Sequence, residues 1–123
     1  VLFRSLIMED EFLIARDLSR IVTQMGYSVC GVVRNAEAAI HVAASQKPSL
    51  LLADLQLADG EFGGVRAAEQ IALSSDIPVV FVTAYPNRAI DSSVKSPQIV
   101  RKPFHPASIV HAVKQALSRR QCN

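Results

Sequence analysis

Cysteine is scarce in this 123-residue sequence. Its two cysteines, Cys30 in an apolar run and Cys122 near the end, give neither a disulfide framework nor a metal-ligand spacing. Cys30 reads as a small core residue, and a reducing, cytoplasmic setting is the default expectation. Net charge is also small, at +2, too small to imply a nucleic-acid surface by itself, and none is expected. The basic residues are scattered except for Lys114, Arg119 and Arg120, which suit the carboxyl end of a helix dipole. No apolar run reaches the length of a membrane span, so no membrane partner is expected. The opening stretch Val1 to Ser5 is too short for a signal peptide and no cleavage pattern follows. It does not begin with Met, and the expectation is that residues are missing upstream. Repeats and low-complexity segments are absent. So is a glycine-rich phosphate loop after the first apolar run, where acids stand instead; this disfavours a flavodoxin-like nucleotide binder.

What is present is a good core composition: half the residues are hydrophobic and a fifth are charged, enough for one domain over residues 1–123. Short apolar runs alternate with amphipathic stretches. Leu6-Ile7-Met8, Ser28 to Val33, Leu50 to Asp54, Val79 to Thr83 and Gln98 to Arg101 read as strands. The third and fourth are apolar throughout, as strands buried on both faces should be. Helical spacing covers Phe12 to Met25, with Phe12, Leu13, Ala15, Leu18, Ile21 and Val22 among its apolar positions and Gly26 as its cap. Further helices are predicted from Ala36 to about Ser45 behind an Asn35 N-cap, from about Gly64 to Leu73, and from Pro106 to about Ser118. Between Ala84 and Pro97 there is room only for a short helix around Arg88 to Val94. Five strands alternating with helices predict an α/β fold with a parallel sheet covered on both faces.

Ligands of open parallel sheets bind beyond the carboxyl ends of the strands. There the sequence sets Glu9, Asp10 and Glu11 after the first strand, Asp54 after the third, Thr83 after the fourth and Lys102 after the fifth. Gathered carboxylates repel unless a cation joins them. Magnesium suits such a site, taking oxygen ligands and often only one or two protein carboxylates. An ionised Asp54 can attack phosphorus as a nucleophile. Thr83 and Lys102 offer a hydroxyl and a fixed positive charge for the oxygens of a transferring phosphoryl group.

In four segments the chain resembles the receiver domain of two-component response regulators across nearly its whole length. They are Leu6 to Glu11, Leu50 to Leu57, Val80 to Ala84 and Val100 to Phe104. The resemblance implies a flavodoxin-like, doubly wound sheet of order 2-1-3-4-5 with five helices. It implies that Asp54 is the phospho-acceptor, that Glu9 and Asp10 hold magnesium with Asp54, and that the backbone carbonyl of Gln56 completes the metal site. Thr83 would move to the phosphoryl group, Lys102 would pair with it, Ala84 would leave space for it, and the Lys102–Pro103 bond would be cis. The implied input is a histidine kinase or phosphotransfer protein, and the output a protein partner or output domain. The chain would be a monomer or a phosphorylation-linked homodimer, a self-phosphorylating switch and not a turnover enzyme.

Some positions depart from the family. Ile99 stands where an aromatic residue usually swings inward, Ala58 replaces a common proline, and the span between Thr83 and Lys102 is short. Together these resemble a subset of receivers paired with a variant class of histidine kinases, including the receiver of general-stress anti-sigma adaptors. Without a ring at position 99, phosphorylation is expected to reorganise Tyr85 to Pro97 instead. The competing function is a small magnesium-dependent aspartyl-phosphate phosphatase. It is disfavoured because Gln56 stands where such enzymes carry a carboxylate as general acid. Plainer roles suffice elsewhere. Glu11 is a first-turn helix acid, Asp59 shapes a turn with Gly60, and His41, His105 and His111 are surface or half-buried residues. Arg88 and Asp91 are solvated, and Tyr85 is half-exposed packing that could also gate water. No output module fits after Ser118, so a stand-alone receiver or one cut from a larger protein is expected.

Overall fold

Residues 3–57, 60 and 62–121 are described by a computed structural model. The strands are β1 (Arg4–Met8), β2 (Ser28–Val33), β3 (Leu50–Ala53), β4 (Val79–Thr83) and β5 (Gln98–Arg101). They pair in parallel in the order β2-β1-β3-β4-β5. The helices are α1 (Phe12–Gln24), α2 (Ala36–Gln46), α3 (Gly63–Ser75), α4 (Pro86–Ile90) and α5 (Pro106–Gln121).

Strand alternation divides the core in two. Leu6, Met8, Leu51, Val79 and Phe81 point to the side covered by α2, α3 and α4. Ile7, Leu50, Leu52, Val80 and Val82 point to the side of α1 and α5, where they meet Leu18, Val22, Ile109 and Val113. The all-apolar runs of β3 and β4 are thereby buried on both faces, as central strands of a parallel sheet between two helical layers are.

Local signals behave as their chemistry directs. Asn35 caps α2, its Oδ1 accepting from the Ala38 amide at 2.8 Å. Gly26, after α1, takes a φ of +90°. Other expectations need correction. The short helix before β5 lies at Pro86–Ile90, earlier than predicted, because Pro86 is pre-set for a first helical turn and the Ser92 hydroxyl bonds the Ala89 carbonyl at 2.8 Å to close the last one. Phe12 and Leu13 are exposed despite their helical spacing, since the first turn of α1 stands at the carboxyl edge of the sheet, where the layer beneath it ends. Cys30 is only half-buried because β2 is an edge strand. The helix α5 runs on to Gln121. The expectations for Ala58, Asp59 and Cys122 lie outside the described residues, as do the side chains of Arg119 and Arg120.

Candidate phosphoacceptor site

The carboxyl ends of neighbouring strands are tied in pairs by backbone bonds. Asp54 N donates to Met8 O at 2.8 Å, Glu9 N to Val33 O at 2.9 Å and Lys102 N to Thr83 O at 2.9 Å. These bonds carry the parallel register one residue beyond the strands and bring the predicted site residues to one edge. Glu9, Asp54 and Thr83 are buried, while Asp10 is half-buried.

Lys102 lies among the acids. Its Nζ is 2.7 Å from Glu9 Oε1, 2.9 Å from Asp54 Oδ2 and 4.0 Å from Glu11 Oε1. The bond to Asp54 is an aligned hydrogen bond. The contact with Glu9 is the shorter of the two and is a buried ion pair. Glu9 Oε2 accepts the Glu11 amide at 3.1 Å. Burial pushes the Glu9 carboxyl from 4.5 up to about 7; Lys102 opposes the shift and the charge of Asp54 adds to it. Burial alone would lower the Lys102 ammonium pKa, but Glu9 and Asp54 outweigh it and hold it above 10.5.

One carboxylate oxygen each from Glu9, Asp10 and Asp54 falls within 4.8 Å of the others, a spacing that one cation can bridge. Two features fit a hard divalent ion. The donors are all carboxylate oxygens, and two of the three residues that carry them, Glu9 and Asp54, are buried. Two other predicted residues have different contacts in this state. Thr83 Oγ1 accepts the Tyr85 backbone amide at 2.9 Å, and the backbone N–H of Gln56 donates to Asp54 Oδ1 at 3.4 Å. The Lys102–Pro103 peptide is cis.

Sequence reasoning passed over Gly64. A Cβ at this position would collide with the Asp54 carbonyl oxygen and lie 2.8 Å from that of Leu55. Its amide also donates to Leu55 O at 2.9 Å. Only glycine lets the first turn of α3 come so close behind Asp54. The Gly63-Gly64 pair before an amphipathic run was the available signal.

The sequence profile of the response regulator receiver domain matches residues 5–114. The chain belongs to this family. Among the receiver's relatives, the phyllosphere-induced regulator PhyR of Methylorubrum extorquens is 42% identical over 114 residues, covering 91% of this chain and 42% of that protein. The solution structure of the Erythrobacter litoralis PhyR receiver domain superposes with a TM-score of 0.86 at 38% identity, covering 95% of this chain and 91% of that one. The crystal structure of the anti-anti-sigma factor PhyR from Bartonella quintana gives 0.84 at 36% identity, covering 98% of this chain and 49% of that one. The receiver thus spans half or less of these two full-length relatives. Its sheet order of 2-1-3-4-5 is the one its family resemblance implied. The relatives are regulators by name, which lends no support to a phosphatase. Among the described residues, no helix is long and apolar enough to cross a membrane.

Proposed function

We propose that the receiver, taken as residues 1–123, accepts a phosphoryl group on Asp54 from a histidine kinase or phosphotransfer protein and so alters its binding to a protein partner. The observation that carries this reading is the meeting of Asp54 with Glu9, Asp10 and Lys102 at one sheet edge. Glu9, Asp10 and Asp54, with the backbone carbonyl of Gln56, would hold magnesium. When bound, the ion supplies positive charge that quiets the carboxylates and polarises phosphoryl oxygens.

A carboxylate oxygen of Asp54 attacks the donor's phosphorus. The new O–P bond forms as the bond from phosphorus to the donor breaks, and the donor leaves with that electron pair. Lys102 is poised to follow the charge, since its ammonium already bonds Asp54. Thr83 supplies a hydroxyl donor by turning from the Tyr85 amide. One relative is described as an anti-anti-sigma factor, and a protein of the anti-sigma kind is the partner class we propose for the regulator that carries this receiver.

Phosphoryl stoichiometry tests the function. With acetyl phosphate and magnesium, the chain is expected to gain one acid-stable, base-labile phosphoryl group, measured by intact mass, and to consume donor slowly. Rapid consumption of many equivalents without a stable adduct would instead mark a phosphatase.

A further inference from the structure

Phe62 stands at the start of α3 with a φ of +53°, a left-handed conformation that a bulky residue rarely adopts. Its ring is held from two sides. Tyr85 meets it edge to face, with centroids 5.3 Å apart and planes at 84°. The Arg88 guanidinium lies over it at 4.3 Å from the centroid. Both partners come from the start of α4, so Phe62 ties the stretch after the acceptor to the stretch after Thr83. The Tyr85 amide also donates to Thr83 Oγ1 at 2.9 Å. Further along, Glu69 Oε2 of α3 accepts the Ser93 amide at 2.7 Å, which holds the far end of the same segment.

We propose that Phe62, Tyr85 and Arg88 form a clasp, closed while Asp54 is unmodified and opened by phosphorylation. The inference rests on the acceptor role proposed for Asp54. A Thr83 hydroxyl that turns toward a phosphoryl group gives up the Tyr85 amide. Tyr85 then loses one of its two anchors, the ring contact with Phe62 loosens, and the surface at Tyr85 and Arg88 changes. Ile99 has no ring to move and packs half-buried beside the core. The clasp therefore carries the signal by a different route, through residues that follow β3 and β4. Phe62 is a positioning residue here: it acts on the site through Tyr85.

The two tyrosines make this measurable. In the chain labelled with 3-fluorotyrosine, fluorine NMR gives one resonance for Tyr85 and one for Tyr27, whose ring packs on Phe3 at 5.4 Å and serves as reference. Saturating beryllium fluoride with magnesium is expected to shift Tyr85 and leave Tyr27 in place, while the bound fluoride signal reports loading separately. Phe62→Leu and the surface change Arg88→Ala should each displace the Tyr85 resonance before the probe is added. Both should also tighten beryllium fluoride binding by about three- to tenfold, because contacts made only in the closed state are removed. A purely structural contact would leave that affinity unchanged. Bound fluoride with a static Tyr85, or unchanged or weaker binding in both variants, overturns the clasp alone. No bound fluoride in the native chain overturns the acceptor role and the clasp with it.

Discussion

Asp54→Asn is expected to abolish phosphoryl uptake while making the metal-free chain more stable. An amide oxygen cannot form the acyl phosphate, so loading by acetyl phosphate should fall by roughly 100-fold or more, to background. Stability moves the other way because the site is arranged for chemistry and not for folding. The charge of Asp54 helps hold Glu9 near 7, against an ordinary 4.5. The folded-state pKa is the higher one, so ionising Glu9 favours the unfolded chain. The penalty is absent below about 4.5 and complete once pH has risen through about 7. Replacing Asp54 removes part of the repulsion that Glu9 meets, and Lys102 keeps Glu9 as its partner at 2.7 Å. In the presence of a chelator the gain should be about 0.5–1 kcal/mol above pH 7 and should fade toward pH 5. Denaturant unfolding at pH 8 and pH 5 checks this. A loss of stability at pH 8 would show that Asp54 serves the fold as an ion-pair partner more than it strains it.

Gly64→Ala should produce a large structural effect for a one-carbon change. The added methyl would meet two backbone carbonyls, of Asp54 and Leu55, which cannot rotate aside as a side chain can. Either α3 withdraws or the loop carrying Asp54 is displaced. A cost of about 2–4 kcal/mol follows, a fall in Tm on the order of 10 °C. Loading of Asp54 should drop even at temperatures where the variant is folded. Gly31→Ala is the natural comparison. Its methyl would come within 3.0 Å of Val42 Cγ1 and 3.2 Å of Leu6 Cδ1, both side-chain ends that can yield, so its cost should be clearly smaller. Equal losses for the two variants would refute the special approach of α3 to Asp54.

These two positions show what could be read from the sequence. The strands were legible because each is a short apolar run bounded by turn residues, and the all-apolar β3 and β4, alternating with helices, pointed to a parallel sheet covered on both faces. The acids, Thr83 and Lys102 were legible because polar groups close those runs. The ion pair of Lys102 with both Glu9 and Asp54 was not, since a sequence gives strand ends but not the distances across a sheet edge. Helical spacing also misled at Phe12 and Leu13, because periodicity records a face and not whether a layer lies beneath it. Phe62 could not have been read as a clasp. Its left-handed backbone and its two ring partners come from tertiary contact, and no local rule puts phenylalanine at that φ.

Borohydride reduction of the phosphorylated chain tests the acceptor most directly. The hydride converts an aspartyl phosphate to homoserine, a mass change that peptide sequencing locates without ambiguity. After acetyl phosphate and magnesium, homoserine is expected at position 54 and nowhere else. Homoserine at another aspartate, or none anywhere while an intact phosphorylated chain is seen before reduction, would contradict the role given to Asp54.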